Sequence, residues 1–414
     1  MKKIVVLLVV TAFSFIISYQ SLTAQNKELI TFINSNLIDV DNSNPDDDLK
    51  EQYKLQNLFQ GVKIFGFGEA THGTKEFQDL KVKFFKYLVF NCNVKTFAIE
   101  ASFGDCLAIN SYIKDGKGNP QIALNKIGYW VWNTSEVLSL IEWMKSYNST
   151  QSKENKLNFI GIDITNCQNT SNILYKYLQK NDFPDNQKYL TILNIYNSVD
   201  NIKNLRKKDF EEHYKTLNSI ALEFKKLKNL YLWQLLNSIL QYISMRIDYT
   251  QTLRDQLMFE NVNWLVENNN GNVFICAHNI HVSKKNILFN PLGYHLKNKY
   301  AERYYSVGFD FGSGSFNAFD KESNKIRKCS IDEPLKRTST EVFNKASSNI
   351  FFLDFNKITL SPTLNEFVMS KSFRRSIGST YSPKMVESEK LKEAFDAILF
   401  VKKTHESSLL NYSY

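Results

Sequence analysis

The chain has 414 residues, 43% of them hydrophobic and 14% aromatic, enough to bury a sizeable core in one large or two modest globular domains. Its 51 basic and 42 acidic side chains leave a formal charge of +9, but both signs are interspersed, which argues against wholesale disorder. The lysines are dispersed and accompany no nucleic-acid-binding motif, so no nucleic-acid partner is expected.

At the N-terminus, Lys2 and Lys3 precede an apolar run from Ile4 to Ile17, and the polar stretch SYQSLTAQ follows. The run is short for a bilayer span and reads as a signal peptide over residues 1–24, cut near Ala24. Export to the periplasm or the medium, without stable membrane insertion, is the expectation; an uncleaved signal anchor is the rival. Five cysteines follow (Cys92, Cys106, Cys167, Cys276 and Cys329), with no C-x-x-C pairing. They read as small buried hydrophobes, with one or two disulfides left open by the exported setting.

Mostly apolar runs at 62–67, 95–99, 157–162, 272–276 and 304–309 have the composition of strands buried on both faces. Helical patterns at 75–90 and 135–147 separate them. This alternation predicts an α/β fold with a largely parallel or mixed central sheet flanked by helices. From about 168 to 267 no strand pattern occurs; the amphipathic stretches 207–228 and 231–249 predict a helical insertion or cap subdomain. Strand-like runs return at 350–355 and 397–401.

Polar residues follow the strand patterns closely. Glu69 and His72 come after the first, Glu100 after the second, Asp163 after the third, and His278 and His281 after the fourth. In open α/β sheets the ligand crevice lies at the carboxyl ends of parallel strands, so these groups are expected to converge there. A neutral imidazole can take a proton from water, a carboxylate on its other nitrogen fixes the tautomer, and a second imidazole or a cation steadies an oxyanion. No G-x-S-x-G elbow is present, which argues against a serine acyl-enzyme, and no H-E-x-x-H helix marks a zinc site. No cofactor is assigned on this reading. Histidines and carboxylates at this density also leave a divalent metal open, and with it a metal- or ligand-binding envelope protein without turnover.

Ordered motifs carry a resemblance as well. They are GFGEATHGTKEF (66–77), FAIEASFGD (97–105), GYWVWNTSEVLSLIEWMKSYN (128–148), NFIGIDI (158–164), RDQLMFENVNWL (254–265), CAHNIHVSK (276–284) and LGYHL (292–296). Together they resemble the erythromycin esterase family of macrolide-lactone hydrolases and their relatives, over nearly all of residues 25–414. The resemblance implies a small-molecule ester or lactone substrate and hydrolysis by water activated on a histidine. By motif, His72 corresponds to the general base, Glu69 to its carboxylate neighbour, and Glu100 and His278 to the rest of the catalytic cluster. His281, Asp163, Arg254, Asp255 and Lys75 are implied as substrate-binding or supporting positions, and Trp130 and Trp132 as packing or cleft-lining aromatics. Lys75 stands where the family pattern has arginine, and a lysine cannot reproduce a planar bidentate contact. With the export signal, this departure leaves the macrolide itself open as substrate.

Overall fold

Eleven strands form two sheets among the described residues, which in this computed structural model are 27–410 except 182, 184, 227, 287, 357–361 and 383–385. The segment 1–24 read as a signal peptide lies outside the described residues. The strands are β1 (Ile38–Asp39), β2 (Ile64–Phe67), β3 (Val94–Ser102), β4 (Asn158–Asp163), β5 (Asn272–Cys276) and β6 (Tyr304–Asp320). After them come β7 (Lys325–Ile331), β8 (Ile350–Asp354), β9 (Lys371–Arg375), β10 (Val386–Lys390) and β11 (Ala397–Thr404). Nine of them make the central sheet in the order β1-β8-β11-β6-β2-β5-β3-β4, with β7 paired to β6, while β9 and β10 form a separate hairpin.

From β11 across to β4 every neighbouring pair is parallel. β8, β1 and β7 add antiparallel pairings at one side, so the α/β expectation of a largely parallel, mixed sheet flanked by helices stands. Alternate residues of the central strands feed opposite faces, as the two-residue period requires. Ile64 and Ile275 join one apolar layer, and Phe65 and Phe274 the other. Burial on both faces is why β2 and β3 read as continuous apolar runs.

The structure departs from the sequence reading where strands pair antiparallel near an edge. β6 extends to Asp320 because its second half pairs with β7, whose KIRKCSI sequence has only Cys329 and Ile331 buried. Such a half-solvated strand carries little apolar signal. Between β4 and β5 the described residues form six helices and no strand. The helix Leu230–Ile247 packs Leu235, Leu236, Ile239 and Ile243 into the apolar layer on one sheet face. Thr250 then caps the helix Gln251–Asn268 by accepting the Leu253 N–H at 3.0 Å, which sets Arg254 in its first turn beside the strand ends. No described helix is long and apolar enough to cross a membrane. All five cysteines are free thiols.

Candidate active site

After β2 the chain turns sharply, and two glycines make the turn sterically possible. A Cβ on Gly68 would lie 2.1 Å from Asn279 Oδ1, and one on Gly73 would lie 2.0 Å from the Asn317 carbonyl oxygen. Between them the loop is clamped. The Thr71 and Thr74 hydroxyls are 3.0 Å apart, the Gly73 N–H donates to Thr71 Oγ1, and the His72 N–H donates to the Gly378 carbonyl at 3.1 Å. This geometry brings His72 Nδ1 to 2.5 Å from Glu69 Oε1. On the other Glu69 oxygen sits the ammonium of Lys81, which projects from the buried side of the helix Lys75–Asn91. Burial opposes ionisation of Glu69, but Lys81 and His72 outweigh it and hold the carboxyl below its ordinary value.

A second cluster forms at the ends of β3, β4 and β5. The Arg254 guanidinium forks onto Asp163, Nε donating to Oδ1 at 2.9 Å and Nη2 to Oδ2 at 2.5 Å, and Nη2 also reaches Glu100 Oε1 at 3.0 Å. His281 is held between Asp255 Oδ1 at 2.7 Å and Glu100 Oε1 at 3.2 Å. The second Glu100 oxygen accepts the backbone N–H of His278 at 3.0 Å. Burial disfavours charge on Glu100, Arg254 and His281, and their partners reverse that effect. Glu100 is held well below the carboxylate range by His281 and Arg254, while Glu100 and Asp255 push His281 up to about 10.

His278 behaves in the opposite way. It is buried, no carboxylate reaches its ring, and burial with the neighbouring His72 lowers it to about 4. Its Nδ1 accepts the Ile280 N–H at 3.4 Å, so the neutral ring carries its proton on Nε2. That Nε2 has no hydrogen-bond partner among the described residues. The His278 and His72 ring centroids are 5.4 Å apart.

Both rings open onto a cavity of about 1170 Å³, which Glu100, Asp163, Arg254 and His281 also line. The strand-end groups singled out in the sequence therefore meet, with Glu69 and Asp255 directly behind them. Lys75 does not join them. Its ammonium pairs with Asp79 at 2.6 Å in a separate groove, because its position opens the helix on the side away from the cavity. Nor do Trp130 and Trp132 line the cavity: both are packed in the core, and Trp132 Nε1 donates to the Glu100 carbonyl at 3.1 Å. The adjacent Tyr129 takes the lining place, its ring 6.3 Å from that of His72, and burial raises its phenol to about 12. Sequence reasoning also missed Lys81 and Asn279. The Asn279 side chain bonds both the N–H and the C=O of Phe309, tying the His278 turn to β6. Among the described residues no group of three or more His, Cys, Asp or Glu is placed to hold a metal ion.

The two histidines bend the pH–stability curve in opposite directions. His281 is raised on folding, so its contribution is complete below about pH 6.5 and is lost as the pH climbs towards about 10. His278 is depressed, so its neutral burial costs stability as the pH falls from about 6.5 towards about 4. Chemical denaturation at a series of pH values is expected to show a decline on the alkaline side that flattens in His281→Gln. An unchanged alkaline slope in that variant would contradict the ionised state assigned to His281.

Comparisons with known proteins place the chain in a family. The family model described as erythromycin esterase matches residues 89–404. A putative hydrolase of Bacillus subtilis, YbfO, is 23% identical over 345 residues, covering 73% of this chain and 76% of the relative. The erythromycin esterase type II of Escherichia coli is 23% identical over 423 residues, covering 89% of this chain and 96% of the relative. A Bacillus cereus protein of known crystal structure shares the fold, with a TM-score of 0.85 at 23% identity over 93% of this chain and 99% of that one. With a family match spanning most of its length, the chain belongs to the erythromycin esterase family and is a hydrolase.

Proposed function

We propose that this hydrolase cleaves a carboxylic ester or lactone by direct attack of a water molecule activated on His72. The observation that carries the reading is the Glu69–His72 pair at the cavity wall, with the unpartnered Nε2 of His278 in the facing ring. Ionised Glu69 accepts the Nδ1 proton of His72, so Nε2 presents its lone pair to water in the cavity. As water adds to the carbonyl carbon, its proton passes to His72 Nε2, and the His278 Nε2–H donates to the oxyanion that develops. Preorganised donors of this kind are worth roughly 10²- to 10³-fold in kcat. Collapse of the tetrahedral species breaks the bond to the alkoxy oxygen, and protonated His72 returns its proton to that leaving oxygen. Acid and alcohol are the products.

Glu100 has a positioning role in this scheme. Both of its oxygens are engaged, by Arg254 and His281 on one side and by the His278 backbone on the other. It holds the His278 turn in place without moving a proton itself. Lys81 keeps Glu69 ionised from behind.

No metal ion takes part in these steps. Protein treated with a chelator and assayed on a panel of aliphatic esters and macrocyclic and small lactones is expected to keep its full rate. Activity that vanishes and returns only with added zinc or another divalent ion would overturn the water-on-histidine reading. Failure to cleave any member of the panel would overturn the substrate class.

A further inference from the structure

The charged side chains around the cavity are not equivalent. Glu100, Asp163 and Asp255 are all engaged by Arg254 and His281 within their cluster. Arg246 also lines the cavity, on the wall contributed by the helix Leu230–Ile247. It is exposed, and no carboxylate pairs with it among the described residues. Its guanidinium lies over the ring of Phe210, 5.5 Å from the centroid, and Phe210 is itself buried. Stacking of this kind orients the guanidinium and leaves its N–H fork available to a ligand. The carboxylates deeper in the cavity offer nothing to a cationic ligand, because Arg254 occupies Asp163 in a bidentate fork.

We infer that the substrate carries a carboxylate or similar oxyanion away from the scissile bond, and that Arg246 binds this group at the cavity wall. The inference rests on the ester-hydrolase reading of the same cavity and adds a substrate class to it. A planar oxyanion matches the guanidinium fork, whereas an amine-bearing ester would meet an unneutralised cation. The chain's formal charge of +9 favours encounter with anionic molecules in the same sense.

The test compares p-nitrophenyl hexanoate with p-nitrophenyl hydrogen adipate, which differ only by a terminal carboxylate, and uses the succinate and suberate half-esters to read the spacing. The wild-type protein is expected to favour one of the anionic esters over its neutral counterpart by about 10- to 100-fold in kcat/KM, the range of a charge-assisted contact. The preference is expected to weaken at high salt. In Arg246→Gln the ratio falls towards one, and in Arg246→Lys part of it returns. Equal kcat/KM values for all pairs in the wild type, or a preference that survives Arg246→Gln, would overturn the inference. Should the wild type cleave neither ester type, the ester reading itself fails, and equilibrium dialysis with adipate then reads the subsite alone. Tighter adipate binding to wild type than to Arg246→Gln supports the subsite, and equal binding overturns it.

Discussion

Replacing His72 by alanine is expected to lower kcat on any cleaved ester by about 10³- to 10⁴-fold, the upper part of the range for a positioned general base. The loss belongs to the chemical step, because Glu69 keeps its Lys81 partner and the cavity keeps its other walls. Stability is expected to fall by no more than about 1–2 kcal/mol, as for a buried side chain removed without stranding a charge. Glu69→Gln is the companion variant: it removes the ionised acceptor on Nδ1 and so lowers kcat, and because it also takes the counter-ion from buried Lys81 it lowers stability as well. Steady-state kinetics with a circular-dichroism melt separates these effects. A His72→Ala protein that is folded and turns over at the wild-type rate would remove His72 from the role of base.

The second large effect is on stability. Arg254→Met removes the guanidinium that Asp163 and Glu100 share, and both carboxylates are buried. Taking one partner from a buried ion pair typically costs about 3–5 kcal/mol, because the remaining charge stays in a low-dielectric site. The difference between wild type and variant is expected to shrink as the pH falls. In the variant the stranded carboxylates take up protons readily, whereas in the wild type Glu100 is held ionised well below its usual range. Urea denaturation at neutral and at acid pH measures both quantities. An unchanged midpoint at neutral pH would mean that the cluster relaxes around the missing cation, and the electrostatic account of Arg254 would be wrong.

Much of the site is legible in the sequence for a simple reason. A strand buried on both faces reads as an apolar run, and the first acidic or imidazole residues beyond it mark the strand's end. Glu69, His72, Glu100, Asp163, His278 and His281 all follow such runs, and parallel pairing of β2, β5, β3 and β4 necessarily gathers their ends at one edge. Lys81 is different. Twelve positions beyond Glu69, in the sequence KEFQDLKVKFFK, it reads like any lysine of a solvated helix, yet it is 1% exposed and paired with Glu69. Tyr129 and Arg246 lie in segments with no strand-end signal. They reach the cavity only because the loop after residue 127 and the helix Leu230–Ile247 pack against the sheet's ligand-bearing edge. Lys75 shows the converse: position in a motif suggested a role at the site, and helix orientation places the ammonium in another groove.

The sequence by itself determined the α/β class, the order of the central strands' chemistry-bearing ends and the residues that meet there, because hydrophobic periodicity and strand-end position are local properties. Only the tertiary structure decided what charge each of those residues carries. His278 and His281 sit three positions apart around one short helix, with the same intrinsic acidity. Burial without a carboxylate partner lowers the first to about 4, and contact with Asp255 and Glu100 raises the second to about 10. One ring is left as a neutral donor facing the cavity and the other as a fixed cation, since protonation follows the partners that distant segments bring within reach.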